Sequence, residues 1–377
     1  MQKIEFFRHN IGTAEIARVT KVLRSLFLTT GDVVADFEEQ FAAYLACRYA
    51  IGLTSCTAAL HLALLAYDIG PGDEVITSPL SFVATAHAIL HAGAKPVFVD
   101  VEHETGIINT HLIERAITKR TKAILPVHLY GQMCDMKQVR SLADRHGLVV
   151  IEDAAHALEA EREGVRPGQL GQVACFSFYA TKSITSGEGG AAVTSTARIA
   201  KKLKQLRLHG MDLGAIDRYT KRYQHWDVEY CGWKYNMSNI QAALLLPQLA
   251  RCEERWRLRE AICQRYEKAF AGVPEIGFPR ILPGSKSGRH LFTIWVKPAR
   301  RDRILWRLQT RGIGVAVNFR PIHQLSYYRR ELAYRQGAFP IAEEIGRSTI
   351  SLPLYPQLTH REVERVIRVV KEVVRTT

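Results

Sequence analysis

The chain has 377 residues, 47% hydrophobic and 23% charged, with a formal net charge of +14. That length exceeds what one hydrophobic core accommodates, so a large domain and a smaller one are expected, and the composition excludes a disordered or fibrous chain. No apolar run approaches the roughly 20 residues a membrane helix needs, and the start MQKIEFFRHN has no signal-peptide apolar region, so a cytoplasmic protein with no membrane partner is expected.

The charge is uneven. Residues 1–196 carry 17 Lys and Arg against 21 Asp and Glu (−4), and residues 197–377 carry 34 against 16 (+18). Such a skew suits nucleic acid, an acidic membrane surface or a small anionic substrate such as a nucleotide diphosphate. The basic residues are interleaved with apolar ones over 251–268 and 300–311, the pattern of solvated helix faces. The chain has no helix-turn-helix signature and no aromatic-plus-glycine RNA-binding motif, so no nucleic-acid partner is expected. Seven cysteines are scattered without C-x-x-C spacing or histidines placed for zinc; they read as reduced packing residues, and no metal is expected.

In chain order, a 3.6-residue period predicts a helix over 13–25 with Ile16, Val19, Leu23 and Leu26 on one packing face. A second helix follows the Gly31-Asp32 cap and places Val34, Phe37, Phe41, Tyr44 and Leu45 inward. Residues 49–54 read as a strand that runs directly into a helix beginning near Thr57. Free N–H groups of Thr57 and Ala58, the helix dipole and the hydroxyls of Ser55 and Thr57 would together cradle a phosphate, although a Ser/Thr N-cap alone is commonplace. Strands at 74–78, 96–100, 122–128 and 148–152 then alternate with helices at 81–91, 110–117 and 135–146. That rhythm predicts an α/β fold with a mostly parallel sheet flanked by helices. Phe82 falls just past a strand end, where its ring either lies flat on a cofactor or fills the core.

The next stretch carries the chemistry. VVIEDAAHA (149–157) and CFSFYATKSITSGEGGAAVTS (175–195) are apolar strands that each spill into a polar or Gly-rich turn. They bring Asp153 and Lys182 to the carboxyl edge of the sheet, where open α/β folds bind ligands. Taken singly, Lys182 reads as a solvated charge and Asp153 as a strand-end cap. Together, with a buried strand before the lysine and Gly187, Gly189 and Gly190 after it, they are the pair that a cofactor with an aldehyde and a ring nitrogen needs. A lysine forms the Schiff base, and a carboxylate keeps the pyridine nitrogen protonated. That cofactor is pyridoxal 5'-phosphate.

Beyond the strand 190–195 and a basic helix over 197–209 the rhythm stops. Residues 210–235 read as an irregular loop of a length usually reserved for function. A long helix runs from 238 to 271, interrupted at Pro247, with Ile240, Leu244, Leu249 and Trp256 placed for packing between domains or subunits. A strand (291–297), a helix (302–311), a loop (315–328) and a last helix from about 360 complete a smaller C-terminal α+β domain. The expected division is 1–245 and 246–377.

The segments TSCTAALHLAL, SPLSFVATAHAILHAGAKPVFVD, IEDAAHALEA, FSFYATKSITSGEGGA and WKYNMSNIQAALLLPQL together resemble the DegT/DnrJ/EryC1/StrS family of nucleotide-sugar aminotransferases, over nearly the whole chain. The resemblance implies a fold-type I pyridoxal-phosphate transferase that works as a homodimer with shared active sites. By position it puts the Schiff-base lysine on Lys182, the ring-nitrogen acid on Asp153, phosphate ligands on Thr57, Ala58 and Ser177, and the ring-stacking aromatic on Phe82. The asparagine that crosses to the partner's cofactor phosphate falls on Asn236. Many members have Gln three residues after the acid; this chain has His156, as some C4-aminating members do, which implies contact near the cofactor's 3-oxygen. The segment VNFRPIHQLSYYRR (317–330) resembles the same branch and implies a substrate-side role for His323.

The implied reaction moves the amino group of L-glutamate onto the C4 keto group of a nucleoside-diphosphate 4-keto-6-deoxyhexose. C3 amination and a cofactor-binding regulatory protein are the alternatives. Dehydration at C3 is disfavoured, because the relatives that perform it carry His where this chain has Lys182. For Lys182 to act as a base near neutral pH, its pKa has to fall by roughly 3 units from about 10.4.

Overall fold

The expected strands form in the computed structural model, which describes residues 2–214, 222 and 224–377. β1 (Tyr49–Leu53), β2 (Glu74–Thr77), β3 (Lys95–Phe98), β4 (Thr121–Leu125), β5 (Val149–Asp153), β6 (Val173–Ser177) and β7 (Gly190–Thr194) make one sheet in the order β1-β7-β6-β5-β4-β2-β3. β3, β2, β4, β5 and β6 run parallel, whereas β7 is antiparallel to both its neighbours. The sheet is therefore mostly parallel, as expected. Val150, Ile151, Val173 and Ala174 are fully buried, as strands of a parallel sheet are when helices cover both faces.

The cover comes from α1 (Thr13–Leu23), α2 (Asp32–Leu45), α3 (Cys56–Ala66), α4 (Ala84–His91), α5 (Met136–His146) and α6 (Ala197–Leu206). α3 is apolar on nearly every side, and all its residues except Thr57 and Leu65 are buried; a helix of that kind belongs inside. It packs with Ile51, Ile151, Val173 and Leu203 in one core. Phe37, Phe41 and Leu45 of α2 pack with Val139, Val150 and Phe176 in another.

α7 (Asn239–Ala250) and α8 (Cys252–Phe270) lead into the C-terminal part, which adds β8 (Phe292–Trp295), α9 (Arg301–Thr310), α10 (Ser326–Leu332), α11 (Pro340–Ser348), β9 (Thr349–Leu352) and α12 (His360–Arg375). β8 and β9 pair antiparallel. Ile262, Tyr266 and Phe270 of α8 pack with Ile294, Leu308, Ile350 and Val370 in a third core, which Ile4 joins. Tyr328, Ala342 and Ile345 pack instead with the α2 core, as do Leu245, Leu246 and Leu249 of α7.

Three local expectations change. Residues 110–117 form two short 3-10 turns, Thr110–Leu112 and Glu114–Ala116. The long helix breaks at Arg251, four residues past Pro247, which α7 carries in its interior. α1 turns its expected packing face outward: it buries Glu15 and Val22, and Glu15 binds Arg251 and Arg255. Ile16, Leu23 and Leu26 are left 58%, 57% and 86% exposed. Of the 210–235 loop, residues 215–221 and 223 lie outside the described residues. All seven cysteines are free. Among the described residues there is no cluster of His, Cys, Asp and Glu that could hold a metal ion, and no helix is long and apolar enough to cross a membrane.

Candidate active site

β5 and β6 run side by side and parallel, with Asp153 opposite Cys175, so the turns after both strands open on one edge of the sheet. A cavity of about 530 Å³ lies there, and Thr57, Phe82, Asp153, His156, Ser177 and Lys182 all line it. These are six of the nine expected site residues. Each arrives from a strand end, from a turn beyond one or, for Thr57, from the first turn of the helix that follows β1.

The start of α3 supplies one wall. Ser55 caps the helix, its Oγ accepting the N–H of Ala58 at 3.1 Å, so that N–H is not free as expected; the cap holds it. The first residue of β7 closes against the same turn. A Cβ on Gly190 would lie 2.3 Å from the Ser55 carbonyl carbon and 2.5 Å from the Cys56 nitrogen, so only glycine lets the lysine-bearing turn approach the N-terminus of α3.

Asp153 sits on the floor and is buried. Its Oδ2 accepts from the Thr85 hydroxyl at 2.7 Å and its Oδ1 from the Ala155 N–H at 3.2 Å. The hydroxyls of Thr85 and Ser81, one helical turn apart, are 2.7 Å from each other. Burial pushes the Asp153 carboxyl above its ordinary value, against the lowering pull of the Thr85 and Ala155 donors and the Lys182 charge. A carboxylate in that state gains from a further cation, and a protonated pyridine nitrogen is one. Below it, the His128 N–H donates to the Asp153 carbonyl at 3.0 Å. The Cys134 N–H donates to His128 Nδ1, so the ring proton is on Nε2 and faces Glu152 Oε2 at 2.8 Å.

Lys182 is half-buried in the turn between β6 and β7, and its Nζ lies 3.5 Å from His290 Nε2. Burial pulls the amine down to about 8, against the opposing charge of Asp153. His156 Nδ1 is buried without a partner, and its ring stacks on Phe319 with centroids 5.9 Å apart. Phe82, 59% exposed, stands at the rim with its ring 5.9 Å from that of Phe319. Pyridoxal phosphate fits this arrangement. The buried acid suits the ring nitrogen, the lowered amine suits the aldehyde, the orphaned imidazole nitrogen suits a ring oxygen, and the hydroxyl-rimmed helix start suits the phosphate.

Asn236 and His323 are not brought to the cavity. Asn236 lines a separate groove with Thr29, Thr30, Lys201 and Lys204; its Nδ2 donates to Thr30 Oγ1 at 2.7 Å and its Oδ1 accepts from Lys234 at 2.6 Å. His323, expected on the substrate side, is 1% exposed, with its Nε2 3.0 Å from Glu343 Oε1. Its short turn is tied down by the Ile322 N–H on the Pro79 carbonyl at 2.7 Å. From the same segment it is Asn318 and Phe319 that line the cavity.

Sequence reasoning missed Thr85, His290 and Phe6, which also line it. A signal existed for Thr85, because Ser81 and Thr85 are spaced to present two hydroxyls on one side of a helix start. None existed for His290 or Phe6, which tertiary folding alone delivers.

The chain matches the family described as the DegT/DnrJ/EryC1/StrS aminotransferase family over residues 9–371. It is 42% identical to the spore coat polysaccharide biosynthesis protein SpsC of Bacillus subtilis over 371 residues, 97% of this chain and 95% of that one. Helicobacter pylori PseC, an aminotransferase involved in the biosynthesis of pseudoaminic acid, superposes with a TM-score of 0.93 at 30% identity, covering 100% of both chains. Spr1654 of Streptococcus pneumoniae, solved in PMP and PLP forms, matches with TM-scores of 0.94 and 0.93 at 31% identity, covering 99% of each chain. The chain belongs to the DegT/DnrJ/EryC1/StrS aminotransferase family and is a sugar aminotransferase that depends on pyridoxal phosphate.

Proposed function

We propose that this aminotransferase moves the amino group of L-glutamate onto C4 of a nucleoside-diphosphate 4-keto-6-deoxyhexose, giving a 4-amino sugar nucleotide, in the cytoplasm. The observation that carries the reading is the cavity with the lowered amine of Lys182 facing the buried carboxyl of Asp153. Pyridoxal phosphate, when bound, supplies an electron sink for the carbon that carries the amino group. Lys182 holds it and, once displaced, works as base and acid: Nζ takes the proton from Cα of glutamate and later delivers one to C4 of the sugar. Asp153 keeps the ring nitrogen protonated, with Thr85 and Ala155 orienting its two oxygens. Thr57, Ala58 and Ser177 take the phosphate, Ala58 by sharing its N–H with the Ser55 cap. His156 turns Nδ1 to the 3-oxygen, and Phe82 covers the ring. The choice of C4 over C3 is supported by His156 and by the likeness of 317–330 to the C4-aminating branch; His323 is left out of the substrate contacts.

The test is to supply L-glutamate with a panel of nucleoside-diphosphate 4-keto sugars and locate the new amino group by NMR. An amino group on C4 is expected; one on C3, or no turnover with any 4-keto sugar, would overturn the proposal.

We further propose a homodimer in which Asn236 serves the partner's cofactor phosphate. In its support, Asn236 sits beside Lys201 and Lys204 in a groove outside its own chain's cavity, and Ile16 and Leu23 of α1 and Leu26 just beyond it are uncovered. Lys182→Ala and Asn236→Glu chains, each inactive alone, should regain about half of wild-type activity in a purified mixed dimer, since one site then draws both native residues. The glutamate is chosen because losing one hydrogen bond to a charged group costs only roughly ten- to a hundredfold. No recovery in a confirmed mixed dimer would mean that Asn236 acts within its own chain.

A further inference from the structure

His290 precedes β8, in the C-terminal part of the chain, yet its ring enters the cavity of the N-terminal sheet. It is 8% exposed, and its Nε2 is the atom 3.5 Å from Lys182 Nζ. The ring centroids of His290 and His156 are 4.3 Å apart. Around the amine stand Cys56 of α3, Asp153 at the end of β5, His156 and His290; around His290 stand Lys182, His156 and Arg259. Burial and the neighbouring Lys182 charge hold both imidazoles well below the usual histidine range, so both are neutral.

The approach is built into the fold by one buried ion pair. Glu159 and Arg259 are 1% and 3% exposed. Arg259 Nη2 donates to Glu159 Oε1 at 2.6 Å, and the hydroxyl of Ser183, the residue after the lysine, donates to Glu159 Oε2 at 3.2 Å. The same guanidinium donates from Nε to the carbonyl of Arg289, the residue before the histidine, at 3.1 Å. The backbone beside Lys182 and the backbone beside His290 thus hang on the two halves of a single pair. A buried charge pair is costly to desolvate and is retained where it fixes geometry.

We propose that His290 is a further catalytic residue, whose neutral imidazole accepts a hydrogen bond from the Lys182 amine at Nε2 and holds that amine in place while it moves protons. An ammonium has three donors and no acceptor, so an imidazole can bind it only while the ring is uncharged and the facing nitrogen bears no proton. Accepting at Nε2 puts the ring proton on Nδ1. The Glu159–Arg259 pair sets the distance between the two side chains. The inference rests on the reading of Lys182 as the working amine, which reductive labelling of that lysine decides separately.

The test uses the full chain loaded with pyridoxamine 5'-phosphate, in which Lys182 is free. In the wild type, 15N NMR of labelled histidines should find His290 neutral with Nε2 unprotonated across neutral pH. A proton on Nε2, or a cationic ring, would overturn the proposal, and this outcome needs no variant to fold. The second arm follows the pH dependence of Lys182 acylation by mass spectrometry. The wild-type midpoint is expected at about 8. His290→Phe, which keeps a ring but loses the acceptor, should move the midpoint down by about one unit and lower kcat about tenfold. His290→Gln, whose amide oxygen reaches the Nε2 position, should restore both. An unmoved midpoint and unchanged kcat in His290→Phe would make His290 a packing residue and nothing more.

Discussion

Replacing Lys182 by alanine is expected to lower amino transfer by about ten-thousandfold, the scale of a positioned proton-transfer group, while leaving the protein folded. The amine makes one long contact, 3.5 Å to His290, so its removal costs the fold little and the reaction its base. The same side chain sets a pH dependence whose sign follows from its burial. In the proposed mechanism the working base is the neutral amine, and desolvation lowers the lysine to about 8. Below that value the group is mostly ammonium and idle; above it, mostly free base. The single-turnover rate with L-glutamate should therefore rise as pH increases through about 8 and then level off. A rate that falls over that range would mean that the protonated amine is the working form. Sequence reasoning demanded a lowering of roughly 3 units for a base near neutral pH; burial provides most of it.

Asp153→Asn is expected to keep the fold and most cofactor binding and to slow both half-reactions by about ten- to a hundredfold, the worth of a hydrogen bond to a charged group. The fold survives because the Thr85 hydroxyl, now a donor to Oδ2, can turn and accept from an amide in the same place, with Ser81 behind it at 2.7 Å. Chemistry does not survive as well, since an amide cannot balance the charge of a protonated ring nitrogen. The measurement is the rate of each half-reaction beside the fraction of cofactor retained on gel filtration. Wild-type rates would make Asp153 a strand-end cap.

The sheet was legible because its strands are short apolar runs closed by polar or glycine-rich turns, and parallel strands buried on both faces need no alternation to be seen. Asp153 and Lys182 were legible for the same reason: each lies at or just beyond such a strand end, which is where this architecture opens; Ser177 came by resemblance alone. α1 shows where periodicity misleads. Ile16, Leu23 and Leu26 repeat like a buried stripe, but the helix packs through Val22 and through Glu15, whose charge Arg251 and Arg255 satisfy; the period does not say which surface meets the core. His323 was placed on the substrate side by likeness alone, and Glu343, 20 residues later, holds it elsewhere. His290 was out of reach altogether. It lies 108 residues from Lys182 in the chain, on a segment that reads only as the approach to a strand, and an arginine–glutamate pair spanning 100 residues brings it in.

The measurement that bears most directly on the central claim is borohydride reduction of the yellow, cofactor-loaded protein, followed by proteolysis and mass spectrometry. The cofactor should be found fixed to the peptide that contains Lys182 and to no other. A label on a different lysine, or none after reduction of protein that carries the cofactor, would contradict the assignment of Lys182 and with it the active site described above.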